Sequence, residues 1–125
     1  MLLNNKWVSV YEELGLDWSV MPEVPDKNLS DYVQEHAEDF ADRPALEFNG
    51  SYLSYRDLNT QANKLVCVFK DEGFLPNDVI AIQMPNTPQY VIALIAASRY
   101  GLVVTSLSPL LSSREAVSQC IDANV

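Results

Sequence analysis

The stretch that decides the fold is VIAIQMPNTPQYVIALIAASRYG, residues 79–101. Its first part, VIAIQM (79–84), is apolar on both faces until Gln83. That pattern is typical of a strand that is covered on both sides in a parallel sheet. Thr87 and Pro88 then predict the start of a helix, because proline is tolerated at the first helical position, where its missing N–H costs nothing.

The second half of the stretch and its continuation complete an alternating unit. The helix that starts at Pro88 is expected to run to about Tyr100 and to end at Gly101. LVVTSL (102–107) predicts a second buried strand, and Ser113 is the predicted N-cap of a last helix. Strand, helix, strand and helix in this order predict a parallel βαβα unit with a right-handed crossover.

The turn PNTP (85–88) joins strand and helix where nucleotide-binding units hold their phosphates. Neither G-x-G-x-x-G nor G-x-x-x-x-G-K-[ST] occurs anywhere in the chain. Pro85 and Pro88 also remove two backbone donors from the start of the helix, which weakens it as an anion site. We therefore interpret the turn as a rigid corner and not as a phosphate cradle.

A β-hairpin and two further helices are predicted upstream of this unit. ALEF (45–48) and SYLS (51–54) flank Asn-Gly, which accepts the positive φ angles of a tight turn. The hairpin is followed by a helix that begins at Ser54, the first residue of a capping-box pattern, and ends near Gly73. The helix before the hairpin has Ser30 as its predicted N-cap and is expected to end at Arg43-Pro44.

These elements define an α/β fold class with a β-hairpin and a parallel βαβα unit. Residues 1–28 lack a sustained period but contain scattered apolar side chains, so we predict an N-terminal packing segment there. Residues 29–125 form one incomplete α/β portion. A two-stranded parallel pair is a poor end point for an α/β domain, and the alternation calls for another strand after Val125. We expect the sequence to be a truncated piece of a larger domain.

Composition and charge narrow the class of partner. The formal net charge is −9, from 17 acidic and 8 basic residues, and there is no basic cluster that could bind nucleic acid.

The longest apolar run, Val91–Ala97, is far too short to span a bilayer, and the N-terminus does not have the pattern of an export signal. Cys67 and Cys120 lack C-x-x-C spacing and are expected to be buried free thiols. We predict a cytoplasmic protein with no transmembrane segment and no nucleic-acid partner.

No catalytic constellation is present among the residues. His36 is the single histidine, lies on the apolar side of a predicted helix, and is expected to be a packed histidine. The acidic pairs Glu12-Glu13, Glu38-Asp39 and Asp71-Glu72 are adjacent, so their side chains diverge on a helix and are expected to be solvated. We assign no catalytic, cofactor-binding or metal-binding residue to this chain.

Three blocks, in order, resemble the AMP-forming acyl-CoA synthetase family of adenylate-forming enzymes. PALEFNGSYLSYRDLNTQANKLV (44–66) resembles its "P-A-L … G … T-Y-x-E-L … A-N-x-L-A" block, and residues 77–101 resemble "G-D-x-V-A-I-x-L-P-N" with the helix that follows it. SLSPLLSSREAVSQCIDANV (106–125) resembles "N-P-x-x-x-x-x-E-x-x-x-Q-x-x-D-x-x-A". The Trp7 to Tyr11 spacing and the SPLL loop are similar to those of the fatty-acyl-CoA ligase branch.

The resemblance implies an N-terminal fragment of an ATP-dependent ligase. Such an enzyme joins a carboxylic acid, here a fatty acid, to AMP as an acyl-adenylate and then to coenzyme A as a thioester, with ATP and Mg²⁺. The family's phosphate loop, its adenine-side motif, its hinge Asp and its catalytic Lys match no position in this sequence. The implied partner is the remainder of the parent enzyme, and a homodimer is possible. The alternative is a stand-alone small α/β binding or interaction module without catalysis.

Overall fold

A computed structural model of the protein describes residues 6–17 and 24–125. The elements, in chain order, are α1 (Lys6–Glu13), α2 (Leu29–Asp39), β1 (Pro44–Phe48), β2 (Ser51–Ser54), α3 (Tyr55–Asp71), β3 (Val79–Gln83), α4 (Pro88–Tyr100), β4 (Val103–Leu107) and α5 (Ser113–Asp122). The predicted fold class, a mixed α/β chain with a hairpin and a βαβα unit, is confirmed.

The N-terminal packing segment is only partly within the described residues. Helix α1 was not expected, because the segment lacks a sustained period. Beyond it, Leu14 and Leu16 are exposed. Trp18 and the first part of the predicted connector, residues 21–23, lie outside the described residues. The packing role of residues 1–28 stays a prediction.

The hairpin has the predicted turn. Strands β1 and β2 pair antiparallel, with Phe48 opposite Ser51 and Leu46 opposite Leu53. Between the strands, Asn49 has φ +51° and Gly50 has φ +76°, so the Asn-Gly pair adopts the left-handed conformation that a tight hairpin turn requires.

The second sheet is the predicted parallel pair. Strand β3 runs beside β4 in a continuous register from Val79 opposite Val103 to Gln83 opposite Leu107. Burial is concentrated near the carboxyl ends of the strands, at Ile82 and Leu107, while Val103 is exposed. The prediction that both faces are covered is therefore wrong within the described chain, since α4 and α5 leave part of the sheet open.

The core lies between α3 and α4. Five buried residues form one cluster, and α2 and the hairpin contribute half-buried apolar side chains at its margin; the five are Leu58, Ala62, Ile92, Ile95 and Ala96. The sequence places them at helical spacing on the facing sides of α3 and α4, which is why these two helices pack against each other. No helix in residues 6–17 or 24–125 is long and apolar enough to cross a bilayer.

Two of the predicted helix starts are one or two residues off. The N-cap of α2 is Asn28, whose side-chain oxygen accepts from the N–H of Ser30 and of Asp31, whereas Ser30 lies inside the helix and is buried. The N-cap of α5 is Ser112 and not its neighbour Ser113. In both cases the true cap has an acidic residue three positions later, which completes a capping box.

Of the other predicted helix boundaries, two are confirmed and one is wrong. Ser54 and Asp57 form the predicted capping box at the start of α3. Gly101 follows α4 in the left-handed conformation, with φ +86°, as expected. Helix α2 ends at Asp39 and not at Arg43-Pro44, because the chain leaves the helical conformation at Phe40 before it enters β1.

Removal of a core side chain tests this packing. Ile95 is 2% exposed, so we expect Ile95→Ala to lower the free energy of unfolding by about 2–5 kcal/mol through lost burial and a residual cavity. The matched control is Ile121→Ala on α5, where the side chain is 75% exposed and the expected change is within about 0.5 kcal/mol. Urea unfolding followed by circular dichroism measures both values. Equal losses in the two variants would contradict the core assignment.

The capping box of α5 makes a prediction about pH. Hydrogen bonds from the hydroxyl and the backbone N–H of Ser112 lower the pKa of Glu115 below its ordinary value of 4.5. Because the pKa of Glu115 is lower in the folded state, its ionised carboxylate stabilises the folded protein above pH 4.5. This stabilisation is lost as the pH falls through the lower, folded-state pKa.

We therefore expect Ser112→Ala, which removes the hydroxyl, to raise the pKa of Glu115 toward its ordinary value. Ser113→Ala, one residue further on, is expected to leave that pKa unchanged, since its hydroxyl makes no contact in the capping box. NMR titration of the Glu115 carboxyl carbon in the three proteins measures the effect. A pKa that is the same in all three would show that Ser112 does not hold the carboxylate.

Candidate functional site

Open α/β sheets bind ligands outside the carboxyl ends of their strands, so the carboxyl edge of β3 and β4 is a candidate site. Two side-chain hydrogen bonds span this edge. The Gln83 amide donates to the carbonyl of Ser108 over 3.2 Å, and the hydroxyls of Tyr90 and Ser106 lie 2.7 Å apart. We call these four residues the strand-end cluster. Its polar groups bind one another, so the cluster ties α4 to β4 and β3 to the residue just after β4.

The corner at residues 85–88 offers few donors to a ligand. Thr87 is the N-cap of α4, as predicted, but its side chain makes no capping hydrogen bond. The N–H of Thr87 donates to the carbonyl of Pro85 over 2.8 Å, and the N–H of Tyr90 donates to the carbonyl of Thr87 over 3.0 Å. Since Pro88 has no N–H, most donors at this helix start are absent or already used.

His36 is packed, as predicted. Its Nδ1 donates to the Tyr32 carbonyl one turn earlier over 2.7 Å, and its ring lies 5.7 Å from that of Phe40 and 5.4 Å from that of Tyr55, between ring centroids. The imidazole is half-buried. These contacts account for the histidine as a packing residue between α2 and the start of α3.

The other candidate groups are dispersed over the surface. The three acidic pairs are exposed, as predicted. Both cysteines are free, but Cys67 is exposed and Cys120 is only half-buried, so the prediction of buried thiols is wrong. Cys67 lies on the side of α3 that faces away from the α3–α4 core. In residues 6–17 and 24–125, no three His, Cys, Asp or Glu side chains come together in a metal-binding arrangement. The assignment of no catalytic, cofactor or metal residue stays a prediction.

A partly buried polar junction joins the three main helices and was not predicted. Arg99, the one charged residue of α4, donates to the side-chain oxygen of Asn63 over 2.6 Å and to the Ser30 carbonyl over 3.3 Å. Desolvation lowers the pKa of Arg99, and the nearby carboxylate of Asp31 opposes that shift. The signal that could have revealed the junction is a single arginine in an otherwise uncharged helix.

A groove of about 690 Å³ lies between α3 and the start of α4. Its floor is apolar and includes Leu65, Met84 and Ile92. Its polar rim carries one cation, Lys64, and one carboxylate, Asp57. Its one carboxylate, Asp57, already accepts from the Ser54 hydroxyl in the capping box of α3, so the groove suits contact with an apolar surface better than acid–base chemistry.

The sequence and the fold both match those of known proteins. Residues 33–125 match the family model described as AMP-binding enzyme, which is about three quarters of the chain. The chain belongs to the AMP-binding enzyme family. The resemblance to adenylate-forming enzymes noted in the sequence is thereby confirmed.

The relatives in this family are named as ligases of different carboxylic acids. The chain is 32% identical over 102 residues to the long-chain-fatty-acid–CoA ligase of Bacillus subtilis, which covers 82% of the chain and 18% of the relative. It is 34% identical over 94 residues to 4-coumarate–CoA ligase 2 of Nicotiana tabacum, which covers 73% of the chain and 17% of the relative. The chain thus spans less than a fifth of the length of these relatives.

A solved structure shares the architecture. The N-terminal subdomain of Klebsiella oxytoca NpsA, in complex with 3-hydroxyanthranilyl-AMSN, matches with a TM-score of 0.76 and 25% sequence identity. The match covers 79% of this chain and 25% of that one. The chain therefore has the fold of part of an N-terminal adenylation subdomain.

The strand-end cluster of this AMP-binding family member can be tested through Tyr90. Tyr90→Phe removes the hydroxyl that bonds Ser106, and we expect it to lower the free energy of unfolding by about 0.5–1.5 kcal/mol. Tyr52→Phe is the matched control, because that side chain is exposed, and its expected effect is within about 0.5 kcal/mol. Chemical unfolding of both variants measures the difference. A Tyr90→Phe protein as stable as the control would contradict a structural role for the bond.

Proposed function

We propose that the chain is the N-terminal part of an ATP-dependent, AMP-forming ligase that activates a fatty acid through an acyl-adenylate to a coenzyme A thioester. The observation that carries the proposal is the family match over residues 33–125, together with the TM-score of 0.76 to an N-terminal adenylation subdomain. The curated relatives named as CoA ligases support the thioester product.

ATP, Mg²⁺ and coenzyme A belong, in this proposal, to parts of the enzyme other than the described residues. The corner at 85–88 uses the N–H groups of Thr87 and Tyr90 internally, and its prolines supply none. No three metal-ligating side chains come together in the described ranges. On these grounds we assign a supporting role to the described residues, with the nucleotide and metal held elsewhere in the enzyme.

The supporting role follows from the contacts. The α3–α4 core and the Arg99 junction make a rigid base for the parallel strands. The Tyr90 bond ties α4 to Ser106 of β4, and the Gln83 bond ties β3 to Ser108, just after β4. A site assembled by the rest of the enzyme against this base would inherit its rigidity.

A fatty acid as the substrate is the most specific element of the proposal. It rests on the Trp7 to Tyr11 spacing and the SPLL loop of the sequence, and the Bacillus subtilis relative named as a long-chain-fatty-acid–CoA ligase supports it. The relative named as a 4-coumarate–CoA ligase defines the competing substrate class. The proposed location is the cytoplasm, for which the free thiols are the supporting observation.

The direct test is carboxylate-dependent exchange between pyrophosphate and ATP by the longest polypeptide that contains this sequence. Palmitate and 4-coumarate are compared as substrates, and acyl-CoA is measured by mass spectrometry. We expect exchange and thioester formation with palmitate. Preference for 4-coumarate would refute the fatty-acid assignment, and absence of exchange with any acid would refute the ligase. Gel filtration of the same polypeptide shows whether it is a homodimer.

For the 125-residue chain alone we predict no exchange activity. The described residues contain no nucleotide cradle, so the rate with palmitate is expected to equal the rate without enzyme. The Bacillus subtilis ligase is the positive control under the same conditions. Exchange that depends on both the chain and the carboxylate would overturn the supporting role.

A further inference from the structure

The hairpin turn Asn49-Gly50 is open to solvent. Phe48 and Ser51 form the last pair of β1 and β2, so the two turn residues lie beyond the strand ladder, and both are exposed. Within the described chain, neither the Asn49 side chain nor the Gly50 N–H has a hydrogen-bond partner. Apart from the turn's own neighbours, no heavy atom of the described residues lies within 4 Å of the place that a Cβ would take on Gly50. The rest of the chain therefore does not shield this turn.

The covalent chain places a nucleophile next to an electrophile at the same turn. The Gly50 nitrogen follows the Asn49 carbonyl carbon directly, so its attack on the side-chain carbon Cγ of Asn49 closes a succinimide ring. Glycine has no side chain to crowd that attack. Because the Gly50 N–H donates to no group of the described chain, no protein hydrogen bond has to break before hydroxide removes its proton.

We propose that Asn49 is a site of spontaneous deamidation in the folded protein, with water as the co-reactant. The Gly50 nitrogen gives its proton to hydroxide and bonds to Cγ of Asn49. The bond between Cγ and Nδ2 breaks, and the leaving nitrogen takes up a proton and departs as ammonia. Water then opens the succinimide at either of its two carbonyl carbons. Opening at Cγ leaves aspartate at position 49, and opening at the main-chain carbonyl carbon leaves isoaspartate.

Asn77 provides a comparison within the same molecule. It is also exposed and also left-handed, with φ +74° against φ +51° at Asn49. The nitrogen that follows Asn77 is that of Asp78, whose N–H donates to the Leu75 carbonyl over 3.1 Å and whose side chain crowds an attack. The two asparagines thus share exposure and backbone conformation, but of these two only Asn49 precedes a free and uncrowded nitrogen.

The two products have different effects on the hairpin. Aspartate tolerates the left-handed conformation, so an Asp-Gly turn keeps the register. In isoaspartate the main chain runs through Cβ and Cγ and is longer by one atom, and hairpin register depends on the length of the turn. Leu46 and Leu53 pair further along this hairpin and pack against the α3–α4 core. The isoaspartate form therefore covers the core less well.

The test is incubation of the folded 125-residue chain at neutral and at mildly alkaline pH. Peptide mapping by mass spectrometry detects the exchange of NH₂ for OH at each asparagine, and chromatography separates aspartate from isoaspartate. We expect Asn49 to be lost at least about tenfold faster than Asn77 in the same sample, because glycine leaves the attacking nitrogen uncrowded. The loss is expected to be faster at the higher pH, where hydroxide is more abundant. Equal rates at the two positions would overturn the proposal.

A synthetic peptide of residues 45–54 supplies the unfolded reference, since an isolated two-stranded hairpin is marginally stable at best. We expect the rate at Asn49 in the folded chain to lie within about tenfold of the rate in the peptide, because the turn is unshielded. Deamidation in the peptide without deamidation in the folded chain would show that the hairpin protects Asn49 and would overturn the proposal.

The effect on the hairpin has its own measurement. Ion exchange separates the isoaspartate form, and Asn49→Asp serves as the matched control with the same added charge. In urea unfolding, we expect the isoaspartate form to have a lower midpoint than the unmodified chain and Asn49→Asp to have nearly the same midpoint as the unmodified chain. An isoaspartate form as stable as Asn49→Asp would contradict the predicted loss of hairpin register.

Discussion

Ala62 on α3 and Ala96 on α4 have no exposed surface, and they sit at the centre of the only large buried cluster in the described chain. Side chains this small let Leu58 and Ile95 pack in the same layer, so the contact between the two helices is dense. Helix α2 and the hairpin then cover the margins of this contact. A larger residue at either alanine would separate the helices and would remove the support for everything attached to them.

The helix pair also positions the sheet. At its far end, the Tyr100 hydroxyl donates to the Phe74 carbonyl over 2.7 Å, and the ring of Phe69 lies beside those of Phe74 and Tyr100. From there two backbone bonds, Asn77 N–H to the Gly101 carbonyl and Val103 N–H to the Asp78 carbonyl, bring the starts of β3 and β4 together. The parallel register is thus a consequence of where α4 ends relative to α3.

The elements predicted correctly are those whose signals are local. The Asn-Gly turn, the capping box at Ser54 and the glycine after α4 each depend on the conformational preference of one or two residues. The α5 cap was missed because Ser112 and Ser113 offer the same hydroxyl, and only the position of Glu115 three residues after Ser112 distinguishes them. Arg99 stands out in the sequence as the one charge of its helix, but its partners could not be predicted, since Asn63 and Ser30 come from two other helices and no local pattern connects them.

In the candidate site, too, local features could be predicted from the sequence and features that depend on packing could not. The absence of phosphate-binding glycines at the corner was visible in the sequence, and so was the family resemblance. The exposed position of Cys67 and the partly open sheet were not, because burial depends on what packs against an element and not on its own residues. An apolar strand pattern reports the environment of the complete domain. In β3 and β4 the two disagree: Val103 is exposed although its neighbours in the sequence are apolar, so apolar composition alone does not fix which side chains the described chain buries.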